Sequence, residues 1–135
     1  MQWLIDIIKE WIDAQGYLTA AFVNRGDPAD NDFTLPNFIA DGNYHDLDLS
    51  GIVPAGATAV SLDCALLANA VSAQIFLRTD GNVEVANEAH ANTHTAMSVA
   101  VADLLVPLTA SRIIEYKLND VTWFAVDLTV KGWWL

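Results

Sequence analysis

The stretch Ser111–Leu135, SRIIEYKLNDVTWFAVDLTVKGWWL, constrains this chain more than any other. Two runs rich in β-branched and aromatic residues flank Asn119-Asp120, a dipeptide suited to a tight turn, and the pattern predicts a β-hairpin. In the second run Phe124, Val126, Leu128 and Val130 form an apolar row, joined by Trp134 if the alternation continues. Trp123, Ala125, Asp127, Thr129 and Lys131 then make a mixed opposite face, the pattern of a strand half-buried in a sandwich. The run closes on Trp133, Trp134 and Leu135 without a polar tail, so these side chains are expected to pack against something.

Regular strand signals begin at Tyr44. His45, Leu47 and Leu49 alternate with Asp46 and Asp48, and Ser50–Gly56 reads as a turn or crossover. Thr58–Leu67 places Val60, Leu62, Cys64 and Leu66 on one face. Val71–Thr79 follows, and Thr79-Asp80-Gly81-Asn82 predicts a hairpin whose return strand is Asn82–Ala86, because Asp-Gly tolerates positive φ. Thr93–Val101 and Leu104–Leu108 supply two more strands. About eight strands with short turns and no interleaved helices predict a mainly β protein: an antiparallel β-sandwich of jelly-roll type, with residues 44–135 as the sandwich domain.

The amino-terminal part is different. Residues 1–16 form one unit, in which Trp3, Leu4, Ile5, Ile7, Ile8, Trp11 and Ile12 share a broad arc at about 100° per residue, with Asp6, Lys9, Glu10 and Asp13 opposite. This predicts a short amphipathic α-helix with Gly16 as its C-cap. A helix of this length is marginal alone in water and must be held by packing. It can cover its own sandwich, bundle with sister copies or lie on a membrane. The net acidic polar side argues against an anionic lipid surface, and self-association or docking on a partner is favoured. Residues 17–43 read as an extended arm: a short strand within Tyr17–Val23, then a Gly-, Pro-, Asn- and Asp-rich loop from Asn24 to Asn43, anchored by Phe33, Leu35, Phe38 and Ile39.

The totals narrow the function. A chain of 135 residues has room for one core without disulfides or metal. Hydrophobic residues reach 53% while charged residues are only 17%, a surplus that points to association. The net charge of −11, with six basic residues scattered singly, predicts no nucleic-acid binding, which needs clustered Lys or Arg. No apolar run approaches the roughly 18 residues of a membrane span, and the first residues do not read as a secretory signal. The single Cys64 excludes an internal disulfide and sits in a strand-like apolar setting, as a buried thiol would.

Candidate sites are weak. His90 and His94, with Glu88 nearby, match metal-ligand spacing only if helical, and the surroundings read as a loop entering a strand. Asp27, Asp30, Asp32, Asp41, Asp46 and Asp48 lack the order of a calcium loop and read as solvated acids. Arg25-Gly26-Asp27 spells an adhesion tripeptide but reads as a turn. No nucleophile elbow, phosphate loop or supported Cys-His pair is present, so neither enzyme activity nor a cofactor is expected. Trp123 or Trp133 could stack on sugars, although subunit packing suits them better. The residues expected to make subunit or partner contacts are Trp3, Leu4, Ile8, Trp11, Phe33, Phe38, Trp123, Trp133, Trp134 and Leu135.

Three segments, HDLDLSGIVPAGATAVSLDCALL (45–67), AQIFLRTDGN (73–82) and RIIEYKLNDVTWFAVDLTVKGWWL (112–135), resemble a group of small virion proteins of tailed bacteriophages. The similarity covers about Tyr44–Leu135 and leaves out the helix and arm. It implies a non-enzymatic β-sandwich of the phage particle, made in the bacterial host cytoplasm and carried on the capsid surface. A homotrimeric capsid decoration or cement protein, trimerising through the sandwich and bridging major capsid protein subunits or another virion protein, is the expected role. A receptor- or carbohydrate-binding module of a tail or fibre is the alternative.

Overall fold

A computed structural model of the chain describes residues 1–14 and 21–135. Helix α1 spans Gln2–Ala14. Eight strands follow: β1 Phe22–Asn24, β2 Tyr44–Asp48, β3 Ala59–Ala68, β4 Gln74–Thr79, β5 Ala89–Asn92, β6 Ala100–Pro107, β7 Ile113–Leu118 and β8 Trp123–Trp134. They form two antiparallel sheets, β1-β8-β3-β6 (sheet A) and β2-β7-β4-β5 (sheet B). First pairs with last, second with seventh, third with sixth and fourth with fifth. That nested pairing is the jelly roll, and the mainly β sandwich expected from the strand pattern is what the chain forms.

The core lies between the sheets and follows from period-two alternation. Val60, Leu62, Cys64, Leu66 and Ala68 of β3 meet Ile75 and Leu77 of β4 and Ile114, Tyr116 and Leu118 of β7, all buried. Each fully buried Leu, Ile or Val contributes roughly 1.5–3 kcal/mol. Burial pushes the Cys64 thiol up from 9.0 to about 12, with Asp63 and Asp127 adding to the rise, so it stays protonated and packs as a small apolar group.

The stretch read as a hairpin is not one. β7 and β8 lie in opposite sheets, and Asn119–Thr122 carries the chain between them. Each strand already has two hydrogen-bonded neighbours, β2 and β4 for β7 and β1 and β3 for β8. Asn119 is held by β4: its Oδ1 accepts the Gln74 N–H at 2.6 Å and its own N–H donates to the Gln74 carbonyl at 3.2 Å. Its carbonyl accepts the Trp123 indole N–H at 3.0 Å, which steers β8 toward the other sheet.

Strand β8 also breaks the simple alternation twice. Its register against β3 shifts between Leu67 and Ala68 and again between Ser61 and Leu62, leaving Phe124 and Lys131 as extra residues. Each bulge exchanges the two faces of the strand beyond it. Trp123 therefore points inward, 7% exposed, while Phe124 points out, 49% exposed. At the other end Trp133 pairs with inward-facing Val60 and packs on the core, whereas Trp134 pairs with Ala59 and lies against Phe22, with ring centroids 4.8 Å apart. Gly132, beside the second bulge, is required: a Cβ there would collide with the Val23 carbonyl oxygen and the Phe22 ring.

Other boundaries move for local reasons. Gly81, at φ +87°, makes the expected turn, with Asn82 N–H on the Thr79 carbonyl at 3.0 Å. The chain then passes through a 3-10 turn at Val85–Asn87, and the return strand is Ala89–Asn92 instead of Asn82–Ala86. The two strands expected within 93–108 are one, β6, preceded by a loop in which Met97 has φ +63°. Within the expected arm, β1 joins sheet A and Phe33 bridges Leu128 through reciprocal backbone bonds of 3.0 and 2.9 Å. Phe38 is buried edge-on against Tyr116, at 4.9 Å, and Ile39 N–H donates to the Tyr116 hydroxyl. The segment from Phe22 to Ile39 thus lies along its own sandwich. Gly16, and most of the early strand expected in Tyr17–Val23, lie outside the described residues.

Candidate functional site

The outward faces of the two sheets differ in how far their side chains satisfy one another. On sheet B, register places Tyr44, Lys117, Phe76 and His90 in one row and Asp46, Glu115 and Arg78 in the next. The Arg78 guanidinium lies 3.5 Å over the Tyr44 ring and donates to Glu115 Oε1 at 3.0 Å. Glu115 Oε2 accepts the Gly81 N–H, and the Tyr44 hydroxyl donates to the Glu88 carboxylate. Lys117 Nζ sits between two rings, 4.6 Å from Tyr44 and 4.4 Å from Phe76. Burial, then the Glu88 carboxylate, raises the Tyr44 pKa, so this phenol is a hydrogen-bond donor. The result is a half-buried layer of cations, rings and carboxylates.

On sheet A the rows read Val101–Ala65–Asp127, Asp103–Asp63–Thr129, Leu105–Ser61–Gly132 and Pro107–Ala59–Trp134 across β6, β3 and β8. The middle is acidic, with Lys131 Nζ 3.3 Å from Asp103 in an exposed pair that contributes little. Apolar groups remain on both sides of it. Val101 is 66% exposed, Leu105 is also exposed, and Phe124 stands out at the first bulge. Strand β6 is an edge of its sheet, so Val101 and Leu105 lie on an edge strand, while Phe124 lies on β8. The sequence signal for this face was the β6 run AVADLLVP, which is apolar on both faces.

Helix α1 is the second apolar surface. Apart from half-buried Ile12, each of its described side chains is exposed, Trp3 at 66%. Of the expected contact residues, Trp3, Leu4, Ile8 and Trp11 are on this exposed helix and Leu135 is exposed at the end of β8. Phe38 and Trp123 are core residues instead, because Tyr116 and the first bulge draw them inward. Phe33 and Trp133 are half-buried against that core, and Trp134 is half-buried under Phe22. A sugar platform on Trp123 is ruled out by its burial.

The loop motifs resolve into structure. Asp32 receives Arg25 through Nη2 to Oδ1 at 2.8 Å and Nη1 to Oδ2, and Asp32 also accepts the Val130 N–H at 2.8 Å. Arg25 in the adhesion-like tripeptide is therefore held in a closed ion pair, and the neighbouring Asp32 raises its pKa. Asp27 and Asp30 line an open polar hollow of about 700 Å³ together with Asn24, Asn31, Asp63 and Lys131. Asp41 accepts from His45 Nε2 at 2.8 Å and from the Asn43 N–H, and these bonds lower its pKa. His90 and His94 both line a hollow of about 330 Å³ with Val99–Ala102, between β5 and β6. Among the described residues no three metal-ligating side chains converge. No helix there is long and apolar enough to cross a membrane. No family model matches the sequence, and no curated protein matches it.

Proposed function

We propose that this chain is a non-enzymatic structural protein of a tailed-bacteriophage particle, a homotrimeric decoration protein on the capsid surface that bridges major capsid protein subunits. The observation that carries the reading is a division of labour within one small molecule. The jelly roll completes its core from its own strands, while α1 and the outer face of sheet A present apolar surface that a partner must cover. Two such surfaces suit a protein that holds sister copies with one and a larger shell with the other. The resemblance of residues 44–135 to small phage virion proteins supplies the biological setting. Cement acts by binding the assembled shell better than free subunits, which shifts the equilibrium toward assembly.

The test is a comparison of particles made with and without this protein. Loss of the protein is expected to lower resistance to heat and osmotic shock, and addition of purified protein to restore it. Particles unchanged in both respects overturn the cement role. A second reading, a carbohydrate-binding module, draws on the polar hollow beside Asp27 and Asp30, whose Asn, Asp and Lys groups can hydrogen-bond sugar hydroxyls. Reproducible glycan-array binding abolished by Asp30→Ala would favour it.

A further inference from the structure

We propose that α1 is the trimerisation element: the α1 helices of three copies associate as a parallel ring, each apolar face covered by two neighbours. This rests on the trimeric reading above and names the part of the molecule that makes it.

The first support is the shape of the apolar surface. At about 100° per residue, Trp3, Ile7, Trp11, Leu4, Ile8, Ile12 and Ile5 follow one another around an arc of about 200°. A two-stranded seam needs only a narrow a/d stripe. An arc of twice the usual core-facing width fits a helix with a neighbour on each side. Among the described residues, Trp3, Ile5, Ile7 and Ile8 of this arc are each about half or more exposed.

The second support is charge. Lys9 borders the arc on the Ile5 and Ile12 side, and Glu10 borders it on the Trp3 side. In a ring of parallel helices each rim meets the opposite rim of the next copy, so Lys9 faces Glu10 of the neighbour at nearly the same height. An isologous antiparallel pair would bring like rims together instead. A groove on an unrelated protein has no reason to match both signs, and an anionic membrane is disfavoured by Asp6, Glu10 and Asp13. Area is adequate as well. Tryptophans bury about 150–250 Å² each. With four isoleucines and a leucine, the face approaches the roughly 800 Å² per partner of a standard interface.

The experiment is native mass spectrometry and sedimentation of the full chain and of Ile8→Glu, with amide hydrogen exchange of β3 and β8 to report on the sandwich. The expected result is a threefold mass for the natural chain and a single-chain mass for Ile8→Glu, both with the same slow amide exchange in β3 and β8. A trimer that persists in Ile8→Glu overturns this inference and leaves the trimeric particle protein standing, held through sheet A. A natural chain that runs as a single copy overturns both. Should Ile8→Glu fail to fold, Lys9→Glu decides: association weakens several-fold and is restored in Lys9→Glu/Glu10→Lys. A swap that restores nothing overturns the ring.

Discussion

The outer faces of the two sheets are each built from four strands on the same core, yet they end in opposite states. Sheet B's face is closed: Arg78, Glu115, Tyr44, Glu88, Lys117 and Phe76 hold one another through ion pairs, hydrogen bonds and ring contacts. Sheet A's face is open: among the described residues its acidic centre has an exposed lysine contact, and Val101, Leu105 and Phe124 are each about half or more exposed. The difference teaches where a partner belongs. A half-buried network whose charges are already paired gains little from a new neighbour, because docking would desolvate those charges further. Exposed apolar side chains on an edge strand lose only water.

The largest expected effect removes the frame that sheet A's face is built on. Gly132→Val should drive β1 off β8, through the clash with Val23 and Phe22, and cost about 3 kcal/mol in denaturant unfolding. A variant as stable as the natural protein would break the account of the second bulge. Next, Arg78→Met should cost about 2 kcal/mol, because Glu115, with only 16% of its side chain exposed, is left without its guanidinium. The matching change on sheet A, Val101→Ser with Leu105→Ser, should shift the stability of the isolated protein by no more than about 0.5 kcal/mol per substitution. It should nonetheless weaken retention on particles. Equal stability losses on both faces would erase the contrast.

The smallest effect concerns the core they share. The folded Cys64 thiol titrates near 12 against 9.0 for an ordinary thiol, so the folded state holds its proton more tightly. Its contribution is complete below pH 9 and is lost as pH rises from 9 toward 12. Cys64→Ala should flatten the decline of stability across that window, read by urea titration at successive pH values. A slope unchanged by the substitution would show that the thiol is accessible in the native protein.

Much of the fold was legible because burial follows period two. The β3 row Val60, Leu62, Cys64 and Leu66 and the central β8 row Val126, Leu128 and Val130 are inward as their alternation required. The helix was legible from its 3.6-residue pattern, and its exposed face contains the expected contacts Trp3, Leu4, Ile8 and Trp11. Trp123, Phe124 and Trp134 were assigned to the wrong sides because a bulge inserts one residue with no mark in composition. The open face of sheet A was missed because β6 is apolar on both sides, and an edge strand is known only once its neighbours are.

By itself, the amino-acid sequence determined a jelly-roll type of sandwich, an amphipathic helix ahead of it and a surplus of apolar surface, since periodicity and composition are local quantities that each strand carries alone. Tertiary structure decided that Asn119–Thr122 crosses between sheets, that Arg25 and Asp32 close on each other and that one sheet face pairs its charges across strands while the other keeps apolar side chains exposed. Those outcomes depend on which strands compete for each backbone edge and on which charges come within a few ångströms. Such pairings between distant parts of the chain exist only after it has folded.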